Sequence, residues 1–254
     1  MLLTARKNKT DMHQVLNVRP EHGLCLFFRI GSDLLKFIDR NYLNAIGWRG
    51  IRVRKVHLEA AILFAAGKLR KADLPLHLLD IAAGHGRYVI DAARQIAPVP
   101  GSIVMQDYLA RNVRAGQALL DEAGLAHQAR FIEGDTFDEE KLAALKPAPT
   151  LAIASGIYEL FGDNDAILKS LRGIARAMSN GGNGGYLIYT GQPWHPQLEF
   201  IARTLTSHRD HHPWVMRRRT QQELDQLVRH SGFDKIEQWI DEWGIFTVSV
   251  AVRK

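Results

Sequence analysis

From Pro75 to the end of the chain, short β-rich runs take turns with stretches of helical periodicity, and this alternation constrains the fold more than any other feature. Strands are predicted over Leu76–Ile81, Ser102–Asp107, Arg130–Glu133, Leu151–Ser155 and Tyr186–Thr190. Helices are predicted between them, over Arg87–Ile96, Asn112–Ala123, Glu139–Leu145 and Ala166–Met178. Intervals of this kind suit right-handed crossovers, so these strands are expected to run parallel. The rhythm then breaks. After a helix over Gln221–His230 come Lys235–Asp241 and Ile245–Val252, joined by little more than Trp243-Gly244. Strands so close in sequence can pair only as an antiparallel hairpin. The expected class is α/β, with a seven-stranded mixed sheet closed by that hairpin.

The N-terminal part reads differently. Ser32–Trp48 and Val53–Leu69 carry apolar residues at helical spacing, with Leu34, Leu35, Ile38 and Tyr42 in one and Leu58, Ile62 and Ala65 in the other. The division expected is a helical extension or cap over residues 1–72 and an α/β domain over 73–254. A hydrophobic content of 46% against 24% charged residues is an ordinary globular mix. The single Cys25 excludes an internal disulfide and fits a reducing compartment.

The opening MLLTARKNKTDMHQ has no apolar core after its basic residues, so it does not read as a secretion signal. The apolar run Leu24–Phe28 stops at Arg29, well short of the roughly 18 residues of a membrane span. A cytoplasmic protein is expected. The net charge of +6, from 33 basic and 27 acidic residues, attracts anionic partners without choosing among them.

In an open α/β sheet, ligands sit beyond the carboxyl ends of the strands. After the first strand comes Asp80-Ile81-Ala82-Ala83-Gly84-His85-Gly86, a D-x-A-x-G-x-G turn whose small residues permit close backbone approach. The helix that follows offers its N-terminal N–H groups to an anion. A dinucleotide fingerprint would read G-x-G-x-x-G without the acid, which argues against a nicotinamide oxidoreductase. After the second strand stands Asp107, followed by Tyr108, about 20 residues past the glycines, where an acid holds ribose hydroxyls. After the third, Gly134-Asp135-Thr136-Phe137 places another acid within reach of an exocyclic amine. After the fourth, Ser155-Gly156-Ile157-Tyr158-Glu159 carries no nucleophile elbow and faces the same cleft by topology. Each feature alone has a plain explanation as a polar turn. Together they describe a pocket for an adenosine with a zwitterionic tail.

On these residues the chain resembles the class I S-adenosylmethionine-dependent methyltransferases over about residues 75–254. The resemblance rests on Asp80–Gly86, Asp107 and Gly134-Asp135, with Gly184-Gly185 before the fifth strand and the closing hairpin. It implies a Rossmann-like sheet and S-adenosylmethionine as cofactor. The cofactor site would comprise Asp80, Ala82, Ala83, Gly84, Gly86, Asp107, Tyr108, Asp135, Thr136, Ser155 and Gly156. Ala82 departs from the pattern by standing where the family usually has its first glycine. A narrower resemblance is carried by GWRGIR at 47–52, QPWHPQ at 192–197 and WVMRRR at 214–219. It is to a bacterial group of methyltransferases often fused behind a lipase-type α/β-hydrolase, and it implies lipid-related acceptors.

Methyl transfer needs alignment above all, and a base only where the acceptor is protonated. The candidates for the reacting side are Tyr158, Glu159 and His195. Trp194 and the run Arg217, Arg218, Arg219 are candidates to bind an anionic acceptor. The run His208-Arg209-Asp210-His211-His212 lacks helical metal-ligand spacing and any cysteine, so no metal is expected. The acceptor expected is a small or amphiphilic molecule, not DNA. Phe27, Phe28, Trp48, Arg49, Arg52, Arg54 and Lys55 could cap the pocket or rest on an anionic membrane surface. The rivals are an RNA-binding protein or RNA methyltransferase, which the basic charge permits, and a non-catalytic nucleotide-binding scaffold.

Overall fold

The structure, a computed structural model, describes residues 43–97, 100–182, 184–206 and 213–254. Cys25, Phe27, Phe28, residues 32–42 of the helix expected over Ser32–Trp48 and the run His208–His212 lie outside these residues.

A seven-stranded sheet organises the described chain, in the order β3-β2-β1-β4-β5-β7-β6. Its strands are β1 (His77–Asp80), β2 (Ser102–Asp107), β3 (Ala129–Glu133), β4 (Leu151–Ala154), β5 (Tyr186–Gly191), β6 (Phe233–Ile240) and β7 (Thr247–Arg253). The first five are parallel; β7 inserts antiparallel between β5 and β6, with Tyr186 opposite Val252 and Gly191 opposite Thr247. This is the mixed sheet with a terminal hairpin that the spacing implies.

The helices are α1 (Ile46–Lys71), α2 (Arg87–Ala93), α3 (Ala110–Glu122), α4 (Glu139–Ala143), α5 (Asn164–Ser179), α6 (Leu198–Thr204) and α7 (Gln221–His230). Successive strand residues point to opposite faces, and here both faces are apolar, so helices must cover both. Leu78, Ile103, Met105, Ile188 and Val250 meet α1, α2 and α3 on one side. Leu79, Val104, Leu187, Tyr189 and Ala251 meet α4, α5 and α7 on the other. Asp138, Asp163 and Thr220 cap the N-termini of α4, α5 and α7 with their side chains.

Two expectations change. The break expected between the N-terminal helices at residues 49–52 lies instead at Asn44-Ala45, and α1 runs unbroken through Gly47 and Gly50. Those glycines serve close approach instead: a Cβ at Gly50 would lie 2.9 Å from the Phe246 ring, and one at Gly47 would lie 2.4 Å from His195 Nε2. Leu58, Ala61, Ile62, Ala65 and Leu69 of α1 also join the same core as the sheet, so the described part of the extension packs as one layer of the domain. The second change is α6, which periodicity missed because none of its residues is buried.

Among the described residues, no helix is long and apolar enough to cross a membrane.

Candidate active site

The strand order reverses beside β1, whose neighbours are β2 on one side and β4 on the other. At such a switch point the loops leave in opposite directions and open a crevice. A cavity of about 690 Å3 lies there, within the roughly 300–1,000 Å3 usual for small-molecule sites. Its wall includes Ala82, Ala83 and Gly86 after β1, Asp107, Tyr108 and Asn112 after β2, and Gly134, Asp135 and Thr136 after β3. Ser155, Gly156 and Glu159 after β4, His195 after β5 and Phe246 before β7 continue it. Asp107 and Asp135 thus open onto one space.

Asp107 ties this wall together. Its Oδ2 accepts the Gly84 N–H at 2.9 Å, and its Oδ1 accepts the Leu109 N–H at 2.9 Å and Asn112 Nδ2 at 3.0 Å. A carboxylate has about four lone-pair sites, so these three donors leave acceptor capacity for a ligand hydroxyl. Asn112 Oδ1, buried on the same wall, has no protein partner. An acceptor carboxylate beside an unused amide oxygen fits ribose hydroxyls, so the residues present fit an adenosyl cofactor. Asp135 is exposed, its Oδ1 taking the Phe137 N–H at 2.9 Å, and buried Thr136 lies 3.5 Å from Ser170 Oγ. Tyr108 stands 72% exposed at the rim. The Gly156 N–H donates to Thr190 Oγ1 at 2.8 Å, which holds the β4 loop to β5.

Two residues assigned to the cofactor site stand behind the wall. Gly84 spends its N–H on Asp107. Asp80 is fully buried and accepts from Tyr88 Oη and, at 3.3 Å, from the Ala82 N–H, so it shapes the turn from beneath. The nearest approach at Gly86, with φ +67, is to Met105 and Phe131, which makes this glycine the point where α2 closes on the sheet. Burial pushes the Asp80 carboxyl up to about 7 against the lowering effect of its hydrogen bonds. A carboxyl raised in the folded state contributes stability that is fully present below its unfolded pKa and is lost as pH rises through about 7. Asp80→Asn does not titrate. Wild type is therefore expected to lose melting temperature relative to this variant between pH 4.5 and 8; parallel profiles would contradict this.

Of the residues placed on the reacting side, Tyr158 does not reach the cavity. It begins a short 3₁₀ turn (Tyr158–Leu160), is 1% exposed and shares a hydrogen bond of 3.1 Å with Ser170 Oγ. It is a core residue. Glu159 does reach the wall, pairing through Oε1 with Arg54 Nη1 at 3.3 Å. His195 also lines the wall. Its Nδ1 accepts the Gln197 N–H at 3.0 Å, which leaves the proton on Nε2, and burial pushes its pKa down.

The residues assigned to an anionic acceptor are elsewhere. Trp194 donates its indole N–H to Trp243 O at 3.2 Å and braces the hairpin loop. Arg217 pairs with Glu223 at 2.7 Å, and Arg218 is exposed away from the cavity. Arg219, 5% exposed, donates to Tyr158 O at 2.6 Å, Phe161 O at 2.8 Å and Asn164 Oδ1 at 2.8 Å. The guanidinium groups of Arg217 and Arg219 are thus spent on the irregular turn at 158–164.

The basic residues of α1 are likewise occupied. Arg49 meets Glu242 at 3.8 Å, Arg52 donates to Leu43 O at 2.9 Å, and Lys55 pairs with Glu59 and Asp91. Trp48 and Arg54 face the cavity, not an outer surface.

Sequence reading missed Asn112, Ile51, Phe200, Ile201, Met216 and Phe246 on the wall. Asn112 left a trace, a polar residue near the start of a helix just after the ribose acid. The others come from elements whose placement no local pattern encodes.

With this geometry in place, comparison is informative. The profile of a family described as "Putative methyltransferase" matches residues 29–253. The chain is 54% identical over 219 residues to the uncharacterized protein YnbC of Escherichia coli (strain K12), covering 86% of this chain and 37% of that protein. It thus spans little more than a third of that relative. Among solved structures, a possible exported protein of Bordetella parapertussis has a TM-score of 0.69 at 15% identity, covering 95% of this chain and 77% of the other. Magnesium protoporphyrin IX methyltransferase of Synechocystis PCC 6803, with bound SAH, has a TM-score of 0.58 at 16% identity, covering 86% and 99%. At such identities the structures speak for the fold alone, whereas the profile spans most of the chain. The chain therefore belongs to this methyltransferase family and has the class I S-adenosylmethionine-dependent methyltransferase fold.

Proposed function

We propose that this protein transfers the methyl group of S-adenosylmethionine to a small, largely apolar acceptor. The observation that carries the reading is the single cavity along the strand ends, polar over one half of the sheet and mostly apolar over the other. Over β1, β2 and β3 stand Asp107, Asn112 and Asp135. Over β4, β5 and β7 the wall sets Ile157, Leu160, Phe161 and Phe246 around Glu159, Gln192 and His195, roofed by Trp48 and Ile51 of α1 and by Phe200 and Ile201 of α6.

Asp107 and Asn112 would hold the ribose, Asp135 and Thr136 the adenine side, and the turn from Ala82 to Gly86 the methionyl side. Arg87, on the same wall with an unpartnered Nε, offers a cation to a carboxylate. The donor supplies a methyl group already activated by its sulfonium leaving group. The chain's own residues then have to align the acceptor and exclude water, effects that can supply roughly 7–11 kcal/mol of the barrier. The apolar half does both. It also argues against an RNA acceptor, since the arginines that would grip a phosphate backbone are committed to protein partners.

The test has two steps. Calorimetric titration with S-adenosylhomocysteine should give saturable, one-site binding. Incubation with methyl-labelled donor and cell extract should then place label in a small molecule that partitions into organic solvent. Label confined to RNA, or no binding of S-adenosylhomocysteine, would overturn the reading.

A further inference from the structure

Resting on the methyl-transfer reading above, we infer that Glu159 is the group that receives the acceptor's reacting hydroxyl, and that the acceptor is a phenol-type compound. Among the described residues, Glu159 is the only carboxylate lining the mostly apolar half of the cavity. Its side chain is 7% exposed, and the Arg54 guanidinium holds Oε1 at 3.3 Å. Its Oε2 is buried without a protein partner. A buried carboxylate oxygen left unmatched is costly, so the position calls for a donor that arrives with a ligand.

The surroundings narrow the kind of donor. Arg54 lies 4.8 Å over the Phe246 ring and fills the space beside Gly156, where a Cβ would come within 3.3 Å of Nη2. A cation fixed there disfavours an ammonium next to Glu159 and favours a neutral O–H. Trp48, Phe161, Trp214 and Phe246 on the same wall suit a flat aromatic body.

The carboxylate is also held still. The strap that follows α6 takes four carbonyls of the turn that carries it. Arg219 donates to Tyr158 O at 2.6 Å and Phe161 O at 2.8 Å, and Arg217 to Glu159 O at 2.8 Å and Gly162 O at 3.0 Å. Such fixing of a polar group is what an orienting residue requires. In the reaction the phenol O–H bond breaks and its proton passes to Glu159 Oε2. The oxygen bonds to the methyl carbon, the C–S bond breaks with its electron pair left on sulfur, and a methyl ether leaves.

A rival occupant for Oε2 exists. Glu159 also borders a pocket of about 10 Å3 lined by Thr190, Gln192, Arg217 and Arg219, about the size of one water. The experiment separates the two. The full chain saturated with S-adenosylhomocysteine is titrated by fluorescence with 2-naphthol and with 2-methoxynaphthalene, which lacks the donor. Wild type should prefer 2-naphthol by about tenfold or more, as expected of a hydrogen bond to a charged acceptor. Glu159→Ala should erase the preference, and Glu159→Gln, which keeps the shape should alanine unfold the chain, should reduce it severalfold. Affinity for S-adenosylhomocysteine should be the same in all three proteins. An unchanged preference in either variant, or none in wild type, overturns the inference and assigns Oε2 to a buried water. Failure of wild type to bind S-adenosylhomocysteine overturns instead the reading beneath it.

Discussion

Asp107→Ala should weaken S-adenosylhomocysteine binding by about 10- to 150-fold, the effect of losing one hydrogen bond to a charged group at roughly 1.5–3 kcal/mol. The expectation follows from the position of the side chain. It ends β2 on the cavity wall and gathers the Gly84 N–H, the Leu109 N–H and Asn112 Nδ2, so it fixes the loops after β1 and β2 to each other as well as facing the ligand. Asp107→Asn keeps the volume and one acceptor oxygen and should cost an intermediate amount. Calorimetry gives the affinities, and thermal melting gives the share that comes from loosened loops. Unchanged affinity in the alanine variant would reduce Asp107 to a tie between turns.

Arg219→Ala is expected to lower stability by about 3 kcal/mol or more, because it removes three hydrogen bonds from a charged donor, each contributing roughly 1.5–3 kcal/mol, and leaves one of their acceptors unsatisfied. In a chain of this size that corresponds to a melting temperature lower by about 6–12 °C. Arg219 is 5% exposed and donates to three acceptors, Tyr158 O, Phe161 O and Asn164 Oδ1; without it Tyr158 O keeps the Phe161 N–H and Asn164 Oδ1 keeps Arg217 Nη1, while Phe161 O loses the Arg219 donor. Lysine cannot reproduce its fork, so Arg219→Lys should recover little. The exposed neighbour Arg218 supplies the contrast, and Arg218→Ala should stay within about 0.5 kcal/mol of wild type. A ligand-binding Arg219 would give the opposite result, a raised acceptor KM with an unmoved melting curve. Differential scanning calorimetry of the three variants decides between them.

The arginine run shows where local reading stops. Three consecutive basic residues after a tryptophan look alike in the chain, yet Arg217 and Arg219 turn inward to the 158–162 turn while Arg218 stays outside. Nothing in their own neighbourhood says that an irregular turn some 55 residues earlier will present bare carbonyls to them. Tyr158 and Glu159 show the same limit on a smaller scale. They are adjacent, but one side chain enters the core against Ser170 and the other faces the cavity, according to the sense in which a single 3₁₀ turn winds.

What the amino-acid order determined by itself is the sheet and the ligand-facing ends of its first strands. Alternating β runs and helices, a hairpin too short to cross over, and acids placed directly after strands are local or nearly local facts, and the backbone geometry of parallel strands converts them into a shared edge. What tertiary structure alone decided is the acceptor side. Trp48 and Arg54, Glu159, Phe200 and Phe246 meet there from four separate segments. Their meeting depends on how α1, α6 and the hairpin loop settle on the finished sheet. That is a matter of packing between distant surfaces, which no short window of sequence contains.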